Sequence, residues 1–279
     1  MVARFRWLKG HGTENDFVLL PDPHGAVHGG LDAGLVRALC DRRRGIGADG
    51  VLRVVRAAGY DDPAARLAAA DGAEWFMDYR NADGTTSQMC GNGIRVFARF
   101  LAHEGLADPD VALRVGTRDG TKLVRWLDDG QIGFDMGRIR ALGEVKIGVA
   151  GRRWPAVHVD TGNPHAVVFV DSLDDAGPLR ESPWYDPVGF AAGVNVEFAV
   201  RLGDAAVAMR VFERGVGETR SCGTGACAVA AVVAGAVARP VTVVVHTPGG
   251  ALEVRLGPEG RAELTGPAVL VAEGTYPIH

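Results

Sequence analysis

The sequence predicts an α+β protein of two pseudo-symmetric halves, each a curled, mostly antiparallel sheet around one central apolar helix. Short alternating strand segments are separated by Asp-Gly and Gly-Thr turns along the whole chain. Two apolar segments of helical length each begin with Cys-Gly-x-Gly. Cys90 lies nine residues after a strand end at Asn81, and Cys222 lies nine residues after one at Glu213. The repeated spacing indicates an internal duplication, and we expect the active site in the cleft between the halves.

The first half reads as strands and helices in a regular order. "FRWLKGHGTENDFVLLPD" predicts a strand, a glycine-rich turn and a second strand. A helix is expected around residues 31–42. "RRRGIGADGVLRVV" then predicts a loop running into a strand, and "EWFMDYRNADG" a strand ending in a turn. The helix "GIRVFARFLAHEG" follows Cys90 and is apolar on more than one face, as expected for a helix enclosed by a sheet.

The second half repeats this plan around the helix "GACAVAAVVAGAVA". Its strands are predicted in "AVHVDTGNPHAVVFV", "GVNVEFAVR" and "AAVAMRVFERGVGETRS" before the helix, with more strands after it. The boundary is expected near residues 127–135, and the last strand after Gly266 can return to the first half. The predicted domains are therefore residues 1–134 plus 267–279, and residues 135–266.

Composition excludes several classes of protein. The 279 residues are 47% hydrophobic and 23% charged, which is typical of a globular protein. The net charge of −4 has no long run of one sign, so a nucleic-acid partner is not expected. The longest apolar stretch, residues 226–238, is shorter than the roughly 20 residues of a membrane span. With no signal peptide evident, we expect a cytoplasmic, soluble protein with no membrane partner.

Four cysteines fall into two groups. None forms a CxxC pair or a ligand spacing with histidines, so neither zinc nor any other metal is expected, nor a disulfide framework. Cys40 and Cys227 lie in predicted helices and fit small buried hydrophobic residues. Cys90 and Cys222 instead stand at the first turn of glycine-rich helices. There, free backbone N–H groups and the helix dipole are expected to lower a thiol pKa.

Two such thiols indicate a racemase or epimerase. One thiolate can remove an α-proton while one thiol returns a proton on the opposite face of the carbon. The helix N-termini would bind the α-carboxylate and stabilise the charge that develops on it. No lysine lies in a motif for a pyridoxal Schiff base, so no cofactor is expected.

Four motifs together resemble the diaminopimelate epimerase family: "HGTENDF", "MCGNG", "GNPHAVVFV" and "ERGVGETRSCGTGACA". The resemblance runs from about residue 9 to the C-terminus, with the motifs in family order. It implies cofactor-independent interconversion of LL- and meso-diaminopimelate, in bacterial lysine and peptidoglycan precursor synthesis, on a two-domain pseudo-symmetric fold.

The resemblance also implies residue roles. Cys90 and Cys222 match the two catalytic cysteines. The resemblance implies that the first is usually the proton donor and the second the acceptor, and that these roles exchange with reaction direction. His165 and Glu213 match groups that tune the thiol pKa values. The positions that match substrate-binding residues are Asn15, Asn81, Gly91, Asn92, Asn163, Asn195, Glu213, Arg214, Gly223 and Thr224.

Some of these residues also have ordinary structural interpretations. Asn15, Asn81 and Asn163 lie in predicted turns, where asparagine is common for backbone reasons. Arg214 is equally typical of a surface ion pair, although next to Glu213 it could clamp a distal carboxylate. His165 is equally consistent with a hydrogen-bonded core histidine.

Two positions depart from the family pattern. Gly50 stands where many members carry a substrate-contacting glutamine, so that side-chain contact is missing. Ala272 stands where some members have a tyrosine that supports dimerisation. A homodimer is therefore an expectation of the resemblance that this sequence does not reinforce.

Three alternatives remain at this point. Proline and hydroxyproline racemases use the same two-thiol chemistry but typically show "MCGHG", where this chain has Asn92. Isomerases of the phenazine-biosynthesis type share the wider fold but lack the cysteine pair. A thiol redox sensor or a non-catalytic binding protein would use the cysteines without turnover.

Overall fold

The computed structural model describes residues 4–187, 189–235 and 240–277. The chain divides into two compact units, residues 1–134 with 267–279 and residues 135–266. The described residues form eighteen strands, four α-helices and two short 3-10 helices. The α+β class predicted from the sequence is confirmed.

The first unit holds the first three helices and the strands that surround them. Its helices are α1 (Ala33–Cys40), α2 (Pro63–Ala70) and α3 (Gly91–His103). Its strands are β1 (Arg4–Gly12), β2 (Asn15–Pro21), β3 (Gly50–Arg56), β4 (Trp75–Asn81), β5 (Leu113–Thr117), β6 (Gly120–Trp126) and the C-terminal β18 (Val269–Pro277). The chain passes into the second unit within β7 (Ile132–Arg138).

The second unit is built around α4 (Gly223–Ala234). The strands before this helix are β8 (Arg140–Val149), β9 (Arg152–Asp160), β10 (Pro164–Phe169), β11 (Trp184–Tyr185), β12 (Asn195–Arg201), β13 (Ala206–Glu213) and β14 (Gly217–Thr219). After it come β15 (Val241–Thr247), β16 (Gly250–Leu256) and β17 (Arg261–Gly266). The 3-10 helices are η1 (Leu173–Ala176) and η2 (Pro258–Gly260).

The two units share one pattern of strand pairing. In the first, β1/β2, β3/β4 and β5/β6 are antiparallel, while β2/β3 and β4/β5 are parallel. In the second, β9/β10, β12/β13 and β15/β16 are antiparallel, while β10/β12 and β13/β15 are parallel. Each parallel step needs a crossover connection. The second crossover of each unit contains the helix that follows a cysteine, so the duplication extends to topology.

The central helices are covered by sheet on several sides. Helix α3 packs against β1, β2, β3, β4 and β18. Helix α4 packs against β8, β9, β10, β12, β15, β16 and β17. Ten of the thirteen residues of α3 are buried, including Arg95. Small residues from Gly223 to Ala230 let the strands approach α4 closely. The prediction of enclosed, largely apolar helices is confirmed for residues 91–103 and 223–234. Residues 236–238 of the predicted apolar stretch lie outside the described residues.

The remaining helices cover one face of the first unit. Helix α1 packs Val36 and Leu39 against Val18 and Val51 of the sheet. It begins at the N-cap Asp32, whose carboxylate accepts the N–H groups of Gly34 and Leu35. Helix α2, which the sequence analysis did not predict, buries Ala65 and Ala68. No helix among the described residues is long and apolar enough to cross a membrane.

Candidate active site

Cys90 is the N-cap residue of α3. Its backbone is extended (φ −139°, ψ 124°), and its Sγ accepts the N–H of Gly93 at 3.4 Å. A residue with a β-region backbone and an acceptor side chain satisfies one of the N–H groups that a helix leaves free at its start. The thiol of Cys90 therefore stands at the positive end of the α3 dipole, as the sequence predicted.

Asn15, Cys90 and Asn92 form one cluster. The Cys90 thiol donates to Oδ1 of Asn15 at 3.6 Å, and Nδ2 of Asn92 donates to the same oxygen at 3.2 Å. Nδ2 of Asn15 donates to Asp49 at 2.8 Å, which sets the orientation of its amide. Three residues that the resemblance assigned to substrate and catalysis are thus brought together by β2 and α3.

The sequence analysis missed the residues that hold Asn92. Arg95 is fully buried, and its guanidinium donates to Oδ1 of Asn92 at 2.9 Å and to the carbonyl of Gly91 at 3.0 Å. Thr13 also donates to Oδ1 of Asn92, at 3.3 Å. The available signal was a charged residue inside the apolar run "GIRVFARFL", since arginine is almost never fully buried without partners.

Asn81 and Gly50 lie opposite each other on β4 and β3. The Asn81 amide donates to Thr85 Oγ1 at 3.0 Å within the turn that follows β4. A Cβ at Gly50 would lie 2.6 Å from the carbonyl oxygen of Arg80 and 2.8 Å from the ring of Tyr79. The backbone around Gly50 therefore leaves no space for a side chain.

Cys222 repeats the geometry of Cys90 in the second unit. It is the N-cap of α4 with an extended backbone (φ −124°, ψ 116°), and its Sγ accepts the N–H of Gly225 at 3.4 Å. The hydroxyl of Thr224 lies 3.3 Å from the same sulfur. Gly223 and Thr224 form the first turn, as Gly91 and Asn92 do in α3, where N–H groups lack partners within the helix.

The expectation of a lowered thiol pKa is wrong for Cys222. Burial raises its pKa well above the ordinary value, and the negative charges of Glu213 and Glu197 raise it further. The hydrogen bonds from Thr224 and Gly225 act in the opposite direction and do not compensate. Desolvation and the two carboxylates disfavour the thiolate by more than these two hydrogen bonds favour it. The structure therefore favours the protonated thiol at Cys222.

Glu213, Arg214 and Asn195 are connected at the end of β13. The N–H of Arg214 donates to Oδ1 of Asn195 at 2.9 Å, and Glu213 accepts a hydrogen bond from the Thr219 hydroxyl. The Arg214 guanidinium donates to the carbonyl of Ala192 at 2.8 Å and is otherwise exposed. Of the two residues expected to tune thiol pKa values, Glu213 acts on Cys222 directly through its charge.

His165 lies in a buried polar cluster with Asn163, Asn195 and Glu197. Its Nδ1 is 2.7 Å from Oε1 of Glu197, and its Nε2 is 3.1 Å from Oδ1 of Asn163 and 3.5 Å from Nδ2 of Asn195. The structure thus supports the hydrogen-bonded core histidine and links it to two predicted substrate residues. Glu197 was missed, although a carboxylate inside the strand "NVEFAVR" was a visible signal.

The other cysteines, Cys40 and Cys227, are buried, as expected. Burial raises the pKa of Cys40 to about 12, so this thiol is a poor nucleophile. Within the described part of the chain, no cluster of His, Cys, Asp and Glu side chains could hold a metal ion. Each unit therefore presents one glycine-flanked thiol at a helix start, with the Asn15 amide beside Cys90 and the Thr224 hydroxyl beside Cys222. This arrangement is suited to proton transfer next to a bound carboxylate.

Comparison with known proteins agrees with this chemistry. The family model described as diaminopimelate epimerase matches residues 7–142 and 157–271. A curated diaminopimelate epimerase from Streptomyces coelicolor is 52% identical, over 99% of this chain and 96% of the relative. Similar relatives of the same name from Thermobifida fusca (96% of this chain, 97% of the relative) and Corynebacterium glutamicum (97% of each) are 48% and 44% identical.

Solved structures share the fold at low sequence identity. A PhzF-family phenazine biosynthesis protein from Bacillus anthracis superimposes with a TM-score of 0.71 at 16% identity, over 99% of this chain and all of that one. A hydroxyproline epimerase from Agrobacterium vitis gives a TM-score of 0.69 at 15% identity, over 100% of this chain and 94% of that one. At these identities the similarity is one of fold.

Proposed function

This chain belongs to the diaminopimelate epimerase family, and on that premise we propose that it interconverts LL- and meso-diaminopimelate by a cofactor-independent two-base mechanism. The step belongs to lysine and peptidoglycan precursor biosynthesis. One observation carries the mechanism: Cys90 and Cys222 occupy equivalent N-cap positions on the central helices of two topologically equivalent units. We also propose that residues 1–134 with 267–279 and residues 135–266 act as the two catalytic halves.

In this mechanism the two sulfurs act on opposite faces of one α-carbon. A thiolate takes the α-proton as the C–H electron pair passes into the α-carboxylate. The second thiol then gives its proton to the other face, and its S–H electron pair stays on sulfur. The net change is inversion of the stereocentre. The cysteine that began as a thiolate is then a thiol, and the one that began as a thiol is a thiolate. Burial and two carboxylates raise the pKa of Cys222 and favour its thiol. In the reaction direction that starts from this protonation state Cys222 is the acid and Cys90 the base, and the roles exchange in the other direction.

Stabilising the developing carbanion is the difficult part of the reaction. We propose that the first-turn N–H groups of the two central helices bind the α-carboxylate, where their dipoles stabilise negative charge. The residues in this role are Gly91, Asn92, Gly223 and Thr224. Fixed donors of this kind are each worth about 10²–10³-fold in rate when they are aimed at a developing oxyanion.

The rest of the substrate needs polar contacts for a second amino and carboxylate group. We propose that the exposed guanidinium of Arg214 pairs with the distal carboxylate, since arginine offers a two-point contact to that group. The amides and the carboxylate proposed to complete this binding are Asn15, Asn81, Asn163, Asn195 and Glu213. Unmatched polar groups at a buried site are costly, so this set selects for configuration at the distal carbon.

We further propose that the protein acts in the cytoplasm as a homodimer. Strand β18 pairs with β1 along one side and exposes Val269 and Val271, a short apolar surface near Ala272. Apolar side chains exposed on a strand favour association with a second chain. Sedimentation velocity of the protein and of a Val271→Asp variant tests the dimer, which should dissociate in the variant.

Deuterium incorporation tests substrate and reaction together. LL-Diaminopimelate and L-proline are incubated separately with the reduced protein in D₂O and followed by NMR. Exchange at the α-carbon with meso product from diaminopimelate alone is the expected result. Exchange of proline alone would move the protein to the proline racemases, and exchange of neither substrate, with thiols verified as reduced, would refute an epimerase role.

A further inference from the structure

Glu197 is a buried carboxylate that the proposed mechanism does not yet use. It lies on β12 and is fully buried, with Oε1 2.7 Å from Nδ1 of His165. Its second oxygen, Oε2, is buried and has no hydrogen-bond partner among the described residues. An unsatisfied buried carboxylate oxygen costs free energy. Its presence among the buried residues Val196 and Phe198 of β12 therefore indicates a role beyond packing.

The Glu197 carboxyl group also lies against the first turn of α4. A Cβ built on Gly225 would be 2.7 Å from Oε1 and 3.3 Å from the carboxyl carbon of Glu197. Gly225 is the residue whose N–H donates to Cys222 Sγ. Only glycine at this position lets the carboxylate approach the helix start so closely. The negative charge thus lies close to Gly225, whose N–H group would otherwise favour a Cys222 thiolate.

His165 links the same carboxylate to the polar residues of the site. Oδ1 of Asn195 accepts the N–H of Arg214, so the Nδ2 of Asn195 faces Nε2 of His165. On the other side, Oδ1 of Asn163 accepts the Thr161 hydroxyl and lies 3.1 Å from Nε2. A carboxylate on one imidazole nitrogen fixes the orientation and the tautomer of the ring, and so determines what the other nitrogen offers.

We propose that Glu197 is a positioning residue that keeps Cys222 in the thiol form and orients His165 against Asn163 and Asn195. The inference rests on the proposed function for its catalytic meaning, since a protonated Cys222 is the acid that completes the inversion. Charged and titratable groups that bear on Cys222 are Glu213 from β13 and Glu197 from β12, with His165 of β10 behind Glu197. Burial raises the pKa of Cys222 in the same direction as both carboxylates.

The test is a thiolate titration by ultraviolet absorbance, which requires neither substrate nor access for a reagent. Wild type, Glu197→Gln and the matched control Glu253→Gln, an exposed glutamate of the same unit, are each compared with a Cys222→Ser counterpart. The difference isolates the ionisation of Cys222. Removing the charge of Glu197 should move that step to lower pH by about one unit. The Glu253→Gln protein should titrate like wild type.

An unmoved step in a cooperatively folded Glu197→Gln protein would overturn the proposal. If that variant does not fold, Gly225→Ala replaces it. The new methyl displaces the carboxylate from the helix start without changing its charge, and the step should again move to lower pH. An unmoved step there would be equally decisive against the role.

Steady-state kinetics supply the second readout. Glu197→Gln should raise KM for LL-diaminopimelate about tenfold, which corresponds to roughly one hydrogen bond, because His165 no longer orients Asn163 and Asn195. Glu197→Asp, which keeps the charge, should recover part of this loss. An unchanged KM would contradict the orienting role. A titration shift without any turnover of diaminopimelate by wild type would refute the proposed substrate while supporting the control of Cys222 by Glu197.

Discussion

Arg53 and Asp22 form a buried ion pair in the first unit. The guanidinium donates to one carboxylate oxygen of Asp22 at 2.6 Å from one nitrogen and 3.0 Å from another, and both side chains are only 1% exposed. The same carboxylate accepts the N–H groups of Ala26, Val27 and His28. Asp22 therefore joins β3 to the loop that leads into α1.

This pair predicts acid sensitivity in a defined pH range. Burial raises the pKa of Asp22, but the N–H of Val27 and the charge of Arg53 outweigh it, and the pKa falls from 3.8 to about 2. Because the folded pKa lies below the unfolded one, the contribution is present above about pH 4 and is lost as the pH falls through 2. It amounts to about 2 kcal/mol.

Denaturant unfolding at pH 5 and near pH 2 measures this contribution. Wild type should lose about 2 kcal/mol more stability between the two pH values than Asp22→Asn does. The exposed carboxyl of Asp61 offers the control, and Asp61→Asn should follow wild type. Equal losses in wild type and Asp22→Asn would contradict the prediction.

We expect that lysine cannot replace Arg95 without a loss of stability and activity. Its planar group donates to the carbonyls of Gly91 and Pro267 and to the Asn92 side chain. Lysine has a single point of charge and cannot reach three separated acceptors. Arg95→Lys should reduce stability by about 1–3 kcal/mol and kcat/KM for diaminopimelate about tenfold.

The matched control for Arg95 is Arg99→Lys, one turn further along α3. Arg99 donates to the carbonyl of Ala268, which is not part of the first turn of α3. Arg99→Lys should lower stability without changing kcat/KM. Equal effects of the two variants on kcat/KM would mean that Arg95 has only a structural role.

We expect a side chain at position 50 to lower the stability of the protein. A Cβ there meets the carbonyl oxygen of Arg80 at 2.6 Å, and that oxygen belongs to paired backbone that cannot easily move. Gly50→Gln should therefore cost about 1–3 kcal/mol of stability and should not lower KM. A Cβ at Gly203 meets no heavy atom of the described residues within 4 Å, so Gly203→Ala should change stability by under about 0.5 kcal/mol. Thermal unfolding and steady-state kinetics of both variants test these predictions of stability and KM.

We expect substitution of Cys90 or Cys222 to reduce activity strongly and substitution of Cys40 to leave it nearly unchanged. Cys90→Ser and Cys222→Ser should each reduce epimerisation by about 10²–10⁴-fold, because a hydroxyl neither gives nor takes the proton at neutral pH. Cys40→Ala should stay within about twofold of wild type, since Cys40 lies in the core beside α1. NMR of α-proton exchange measures all three, and retained activity in either serine variant would exclude the two-base mechanism.

Local patterns allowed much of the fold to be predicted. The helices that follow Cys90 and Cys222 begin where the Cys-Gly-x-Gly motifs placed them. Strands β4 and β13 end at Asn81 and Glu213, as predicted, although the short β14 stands between β13 and α4. Helix α2 was missed because its short sequence, "PAARLAAA", has no long apolar period. The helix is stabilised by packing Ala65 and Ala68 against Val55 and Phe76 of the sheet. Predicting Asn15, Cys90 and Asn92 as one group relied on the family resemblance, because residues 15 and 90 are far apart in the chain.

The sequence by itself determined where the two thiols stand. An N-cap hydrogen bond joins residues three apart, so Cys90 with Gly93 and Cys222 with Gly225 are specified locally. Only the tertiary structure decided the protonation of Cys222. Glu197, whose charge acts on Cys222, lies on β12, and the strands that pack against α4 come from several parts of the chain. Local geometry can favour a thiolate, but desolvation and charges from distant segments depend on folding and outweigh it here.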